Sequence, residues 1–174
     1  LSVTAIVVSS KDFSNTISVS GSIEANENVE IRSEVSGMVE RISFSEGTQV
    51  NKGQVLVKVN DIELRAQLSQ AITKQKLASE NERRAKLLLQ KEAISQEEYD
   101  IASAEFRSLK AQTQLIQAQI AKTTIRAPFS GTIGLRNISP GTYVTPTTLI
   151  TKLVSSSQVK ISFSIPEKYA SEIE

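Results

Sequence analysis

Between residues 62 and 122 the apolar and small side chains recur at alternating steps of four and three. Leu64, Leu68, Ala71, Gln75, Ala78, Glu82, Ala85 and Leu89 form one series, and Tyr99, Ala102, Phe106, Leu109, Thr113, Ile116 and Ile120 a second. A rhythm of this kind sets one face of each helix against a partner helix. No Gly or Pro interrupts the segment, and Ala, Leu, Gln, Lys and Glu dominate it, all good helix formers. Ser95, with Glu98 three residues on, is a capping box that starts the second helix. Two helices of about 28 residues at roughly 1.5 Å per residue give an antiparallel hairpin about 40 Å long. Gln75 and Glu82 break the first series and Ala is frequent in both, so close helix approach is expected to hold the pair more than large apolar burial.

The flanks read differently. Val, Ile, Thr and Ser alternate there between Gly and Pro punctuation, the pattern of short strands joined by turns. Residues 31–59 and 125–153 align without a gap at a constant offset of 94, with nine identities in 29 positions. Ile31, Arg32, Ser36, Gly37, Ser45, Gly47, Thr48, Val50 and Lys58 match Ile125, Arg126, Ser130, Gly131, Ser139, Gly141, Thr142, Val144 and Lys152. Gly37, Gly47, Gly131 and Gly141 are read as turn glycines, at positions that need positive φ or close backbone approach. Each copy is expected to form a strand, turn, strand, turn, strand unit, and two copies related by a pseudo-twofold axis can bury their apolar faces as a sandwich. The helical segment interrupts this repeat, so it must leave and rejoin the sandwich at one end. Lys52, Lys58 and Lys152 are assigned to the surface.

Alternation at Ile17, Val19 and Ile23, and again at Val159, Ile161, Phe163 and Ile165, predicts half-buried strands, with residues 3–8 a third. Pro166 to Tyr169 resembles a helix start. Three strands do not close a barrel, so the chain is treated as a fragment of a protein that continues past Glu174. The fold class expected is mixed α and β, elongated: a lipoyl-like β-sandwich interrupted by a long antiparallel coiled-coil hairpin, plus strands of an incomplete β-barrel. The corresponding domains are 29–60 with 124–154 for the sandwich, 61–123 for the hairpin, and 1–28 with 155–174 for the barrel strands.

Composition narrows the chemistry. Twenty Lys and Arg against nineteen Asp and Glu leave a net charge of +1, without the surplus that holds proteins on nucleic acid. His and Cys are absent and Met38 is the single methionine, which removes imidazole and thiolate catalysis and soft-metal ligation. No phosphate loop or catalytic triad is visible, so no enzyme, cofactor or metal is expected. Zero Cys fits a cytosolic or a bacterial periplasmic setting. No apolar run approaches the roughly 18 residues that cross a bilayer, and residues 1–4 lack the basic start of a targeting signal, so any leader or lipid anchor is expected to have been removed already.

Two half motifs, residues 29–60 and 124–153, split by a helical hairpin and framed by barrel strands, resemble the periplasmic adaptor subunits, or membrane fusion proteins, of resistance-nodulation-division (RND) efflux pumps. The most specific segments are Gly47 to Leu56 (GTQVNKGQVL), Thr124 to Gly131 (TIRAPFSG) and the hairpin tip. In those adaptors the tip carries Arg, Leu four residues later and Ser seven beyond, here Arg84, Leu88 and Ser95. The resemblance implies that this end engages an outer-membrane channel protein, that protomers form a ring, commonly a hexamer, and that an inner-membrane transporter supplies the cargo. It further implies a periplasmic location with an inner-membrane anchor, and drugs or other toxic organic compounds as cargo.

Plainer readings stand beside these. Leu88 adjoins the series position Leu89 and can be core; Arg84 can be a solvated charge; Ser95 is accounted for as an N-cap. An adaptor of an ATP-driven exporter or type I secretion system is the second reading. A lipoyl or biotinyl carrier, or a coiled-coil scaffold, is the third. Carriers place their modified Lys in the turn between the half motifs, and here the helical insertion occupies that turn.

Overall fold

The computed structural model describes residue 3, residues 18–155 and residues 159–165. The chain divides into two compact units, residues 25–158 and the terminal segments 1–24 with 159–174.

In the larger unit the first repeat supplies β2 (Asn28–Arg32), β3 (Gly37–Ile42), β4 (Gln49–Val50) and β5 (Val55–Val59). The second supplies β6 (Thr124–Arg126), β7 (Gly131–Ile133), β8 (Tyr143–Val144) and β9 (Leu149–Val154). Each copy therefore gives four strands where three were expected, because the segment after the glycine turn pairs for two residues before turning again. The strands assemble as two four-stranded sheets, ordered β2-β9-β7-β4 and β6-β5-β3-β8. Adding the offset of 94 to one order reproduces the other, so each sheet takes two strands from each repeat.

The symmetry extends to register. Gln49 opposite Thr132 and Val50 opposite Gly131 are repeated as Tyr143 opposite Met38 and Val144 opposite Gly37. Ile31 opposite Thr151 is repeated as Ile125 opposite Val57, and both ladders then slip at the next pair. Apolar side chains that alternate on the inner faces fill the space between the sheets. Ile31, Val39, Val50, Leu56 and Val59 meet their repeat mates Ile125, Ile133, Val144, Ile150 and Leu153 in one buried cluster.

The glycines divide by cause. Gly47 and Gly141 have φ of +71° and +84°, left-handed turn positions that a side chain populates poorly. Gly37 and Gly131 are not turn residues: they open β3 and β7, and neither has positive φ. There the reason is crowding, since a Cβ on Gly131 would lie 2.2 Å from the Val154 carbonyl oxygen and one on Gly37 would lie 2.6 Å from Val59 Cγ1.

Helices α1 (Ile62–Gln90) and α2 (Gln96–Lys122) form the hairpin. Every position of both predicted series is buried or half-buried, while flanking positions such as Leu77 and Leu115 stay exposed. Ala71 and Ala78 are the buried residues of α1, and Thr113 and Ile116 those of α2. Glu82, a polar interruption of the first series, accepts a hydrogen bond from the Tyr99 hydroxyl at 3.1 Å, so the break is satisfied across the pair. No described helix is long and apolar enough to cross a membrane.

In the smaller unit β1 (Gly21–Ala25) pairs with β10 (Val159–Phe163). The alternation marks strands at Ile23 and at Val159, Ile161 and Phe163, which are exposed and not half-buried, whereas Val19 and the half-buried Ile165 lie outside the strands. Among the described residues this ribbon has no second layer over either face. The predictions at Ile17, at residues 4–8 and at Pro166 to Tyr169 lie outside the described residues.

Candidate functional site

The hairpin tip is built by two consecutive motifs. Helix α1 closes with the Ala93 N–H donating to the Leu88 carbonyl and the Glu92 N–H to the Leu89 carbonyl, each at 2.9 Å. This is a Schellman closure, and its left-handed residue is Glu92 at φ 56° where Gly is usual. Helix α2 then opens on Ser95. The Glu98 N–H donates to Ser95 Oγ at 3.2 Å, and the Ser95 N–H donates to Glu98 Oε2 at 3.0 Å, a complete capping box. The reversal takes five residues and leaves few backbone groups unsatisfied, which makes it a defined end and not a floppy loop.

Arg84 and Leu88 lie one turn apart on the same face of α1. Arg84 is exposed, donating from Nη2 to Asn81 Oδ1 at 2.8 Å and from Nε to the Glu80 carbonyl at 3.3 Å. Leu88 is 44 % exposed, while its neighbour Leu89 holds the interhelical position. Leu88 is thus outside the core, and Leu87 beside it is equally open. Ser95, also exposed, stands across the reversal at the start of α2. The tip therefore offers a guanidinium, two leucines and a hydroxyl on a stiff support.

At the other end of the hairpin the structure contains a cluster that the sequence did not announce. Asp61 occupies the N-cap position of α1, yet its side chain does not cap the helix; Asn60 Oδ1 accepts from the Ile62 N–H instead, at 3.1 Å. The Asp61 carboxylate is buried, with its side chain 4 % exposed, and takes Lys58 Nζ on Oδ2 and Arg65 Nε on Oδ1, the latter at 2.8 Å. Lys58 Nζ also donates to Thr123 Oγ1 at 2.7 Å, and the Thr123 hydroxyl donates to the Ile120 carbonyl at 2.7 Å. The hydrogen bond from Arg65 holds the Asp61 carboxyl below the usual carboxylate range, Lys58 adds to this, and burial opposes both. Lys58, assigned to the surface from sequence, is a half-buried partner here, because β5 carries it directly under the helix start. Its repeat mate Lys152 is the exposed one, beside Glu30.

Sequence reasoning passed over Asp61 because an acidic residue just before a helical run reads as an ordinary cap. Its partners lie at 58, 65 and 123, and only the fold brings the last of these near. The signal available was the Lys58-to-Asp61 spacing at the very point where strand gives way to helix. Among the described residues no three carboxylates converge as a cation site.

A family model described as RND MFP, barrel-sandwich hybrid domain, matches residues 27–156. The solvent efflux pump periplasmic linker SrpA of Pseudomonas putida is 34% identical over 116 residues, 67% of this chain and 30% of that protein. Multidrug resistance protein MdtA of Yersinia enterocolitica is 33% identical over 163 residues, 84% of this chain and 37% of that one. The chain thus spans well under half the length of these relatives. A crystal structure of a MacA–MexA chimeric protein, containing the Pseudomonas aeruginosa MexA α-hairpin domain, superimposes with a TM-score of 0.81 at 27% identity, over 90% of this chain and 57% of that one. The interlaced repeat, the hairpin inserted at its middle and the match across three quarters of its length together establish that the chain belongs to the RND membrane fusion protein family through its barrel-sandwich hybrid domain.

Proposed function

We propose that this chain is the hairpin-bearing part of a periplasmic adaptor of a tripartite efflux pump, linking an inner-membrane RND transporter to an outer-membrane channel protein. Within it, residues 29–60 and 124–154 serve as the lipoyl-like domain, 61–123 as the hairpin, and 1–28 with 155–174 as the membrane-proximal strands. Protomers pack side by side, as a hexameric ring, around a conduit for drugs or other toxic organic compounds. The protein works by contact and enclosure, with no substrate turned over.

The observation that carries this reading is the helical rod itself. A helix of 29 residues extends about 43 Å, is locked at its far end by a Schellman closure and a capping box, and presents Arg84, Leu88 and Ser95 to solvent there. A partner reading a tip of this kind finds exposed leucines beside a guanidinium, and Arg is among the residues that carry most of the energy in protein interfaces. Family membership and the names of the relatives, efflux pump periplasmic linkers, support the same assignment.

The test is made on the full-length protein in cells. Arg84→Asp, or Leu88→Asp with Ser95→Arg, should abolish drug efflux and crosslinking of the tip to the channel protein at unchanged expression, with the melting temperature unchanged in the first and lowered by about 3 °C in the second through loss of the Ser95 cap. Full efflux and crosslinking in folded variants overturns the docking assignment. Co-purification of the intact protein with its inner-membrane partner separates an RND transporter from an ATP-driven one.

A further inference from the structure

The sandwich carries its own control. Its two ends are related by the repeat, so the same strand exit occurs twice, once at the end of β5 and once at the end of β9. At the β5 exit stand Lys58 and Asp61; at the β9 exit the equivalent positions are Lys152 and Ser155. Lys152 Nζ is 3.7 Å from Glu30 on an open surface, with the Lys152 side chain 58 % exposed, and no carboxylate replaces Asp61. The β9 half pairs Ile133 with Leu153 as the β5 half pairs Val39 with Val59, and it does so without a buried charge at the strand exit. The repeat geometry of a strand exit is thus met once with a buried carboxylate and once without.

What differs is the load. The β5 exit bears two helices that pack chiefly on each other, while the end of α2 meets β6. Two short connections join this rod to the sandwich: Asn60 and Asp61 before α1, and Thr123 alone between α2 and β6. Asp61 touches all parties. Through Lys58 it holds the sandwich, through Arg65 the first turn of α1, and through the Lys58 bond to Thr123 the end of α2. The backbone bond from the Val59 N–H to the Thr123 carbonyl, at 2.8 Å, closes the same junction. A buried ion pair is weak as a source of stability but strict about geometry, because its partners must arrive in one arrangement to offset their desolvation.

We propose that Asp61, Lys58, Arg65 and Thr123 form a positioning joint that fixes the direction of the hairpin on the sandwich, and so delivers the tip to its partner. The consequence for docking rests on the adaptor reading above; the joint itself does not. The absence of cysteine allows spin labels to be placed freely. One pair, at Gln90 near the tip and Lys52 on the sandwich, reports direction; a second, at Gln90 and Gln112, reports the hairpin alone. Arg65→Ala with Thr123→Val removes the side-chain bonds from Asp61 to Arg65 and from Lys58 to Thr123, and keeps the Lys58–Asp61 pair and the backbone bonds of the junction.

In the full chain the direction pair should give one narrow distance distribution, widening at least twofold in the double variant, while the hairpin pair stays unchanged and the melting temperature falls by only a few degrees. Arg65→Lys should restore part of the narrow distribution. An unchanged direction pair overturns the proposal, and so does widening of both pairs together, which marks loosened folding instead. If the double variant does not fold, Arg65→Ala alone, at an exposed side chain, is read in the same way. Efflux is scored separately: loss of efflux in Arg84→Asp with normal distances bears on the tip alone, whereas full efflux in the double variant with a widened direction pair overturns the claim that the joint delivers the tip to its partner.

Discussion

Replacing Gly131 by Ala isolates steric crowding from backbone conformation. The residue has ordinary φ, so Ala adopts its backbone without strain, but the new methyl group would sit 2.2 Å from the Val154 carbonyl oxygen, 2.9 Å from its carbonyl carbon and 3.3 Å from Ser155 Cα. All three atoms are main chain, and they cannot turn away as a side chain does. Relief requires β7 and β9 to move apart by about 1 Å at the point where Thr132 pairs with Val154. Overpacking of this kind costs about 3 kcal/mol, and at roughly 3 °C per kcal/mol for a chain of this size the melting temperature should fall by about 9 °C. Gly37 is the internal comparison. There the new Cβ meets Val59 Cγ1 at 2.6 Å, a methyl group that can shift within the core, so Gly37→Ala should cost about 1–2 kcal/mol. Urea unfolding followed by circular dichroism, with the two variants measured side by side, gives the order. A Gly131→Ala protein that melts with wild type, or one that is more stable than Gly37→Ala, refutes the reasoning that close strand approach selects this glycine.

Three further outcomes are expected. Glu92→Gly relieves the left-handed residue of the Schellman closure and should stabilise the hairpin by about 0.5–1 kcal/mol, read as a higher urea midpoint. Ser95→Ala removes the acceptor for the Glu98 N–H and should destabilise α2 by about 1 kcal/mol, visible as faster amide exchange in its first turn. Asp61 has its folded-state pKa depressed below its unfolded value, so its contribution is complete above the unfolded value of about 3.9 and is lost as pH falls through the folded one. Asp61→Asn should therefore lower stability at pH 7 and flatten the acid limb of the stability profile; an unaltered acid limb would show that Asp61 does not carry it.

Much of the architecture was legible because its signals are periodic. The interhelical series named Leu64 through Leu89 and Tyr99 through Ile120, and those side chains face the partner helix, since a helix of this length has no other way to bury them. The repeat was legible for a similar reason: two halves that must complete each other's sheets keep one register, so their turn glycines and core positions stay aligned. Single residues whose meaning depends on a distant partner were not legible. Gly131 reads as a turn glycine until Val154 is placed beside it, and Lys58 reads as a surface residue until Asp61 and Thr123 surround it. Glu92 gave no warning of its left-handed backbone, because its side chain is not one that the position favours. At the tip, the three residues were named through a resemblance, and the fold added their exposure and the Schellman closure and capping box beneath them.

The interlacing of the two repeats also dictates an order of events during folding. Strand β2 pairs with a strand about 120 residues downstream, so the first half motif, with Leu56, Val57 and Val59, stays without its complement until nearly the whole chain is available. The helices depend on neighbours close in sequence and can form in the meantime. Once paired, they bring residues 59 and 123 together and shrink the loop that the second half motif has to close. The rod is then a folding template as well as a reach: shortening it or loosening its reversal should delay completion of the sandwich and prolong exposure of its sticky first half, even where the finished molecule tolerates the change.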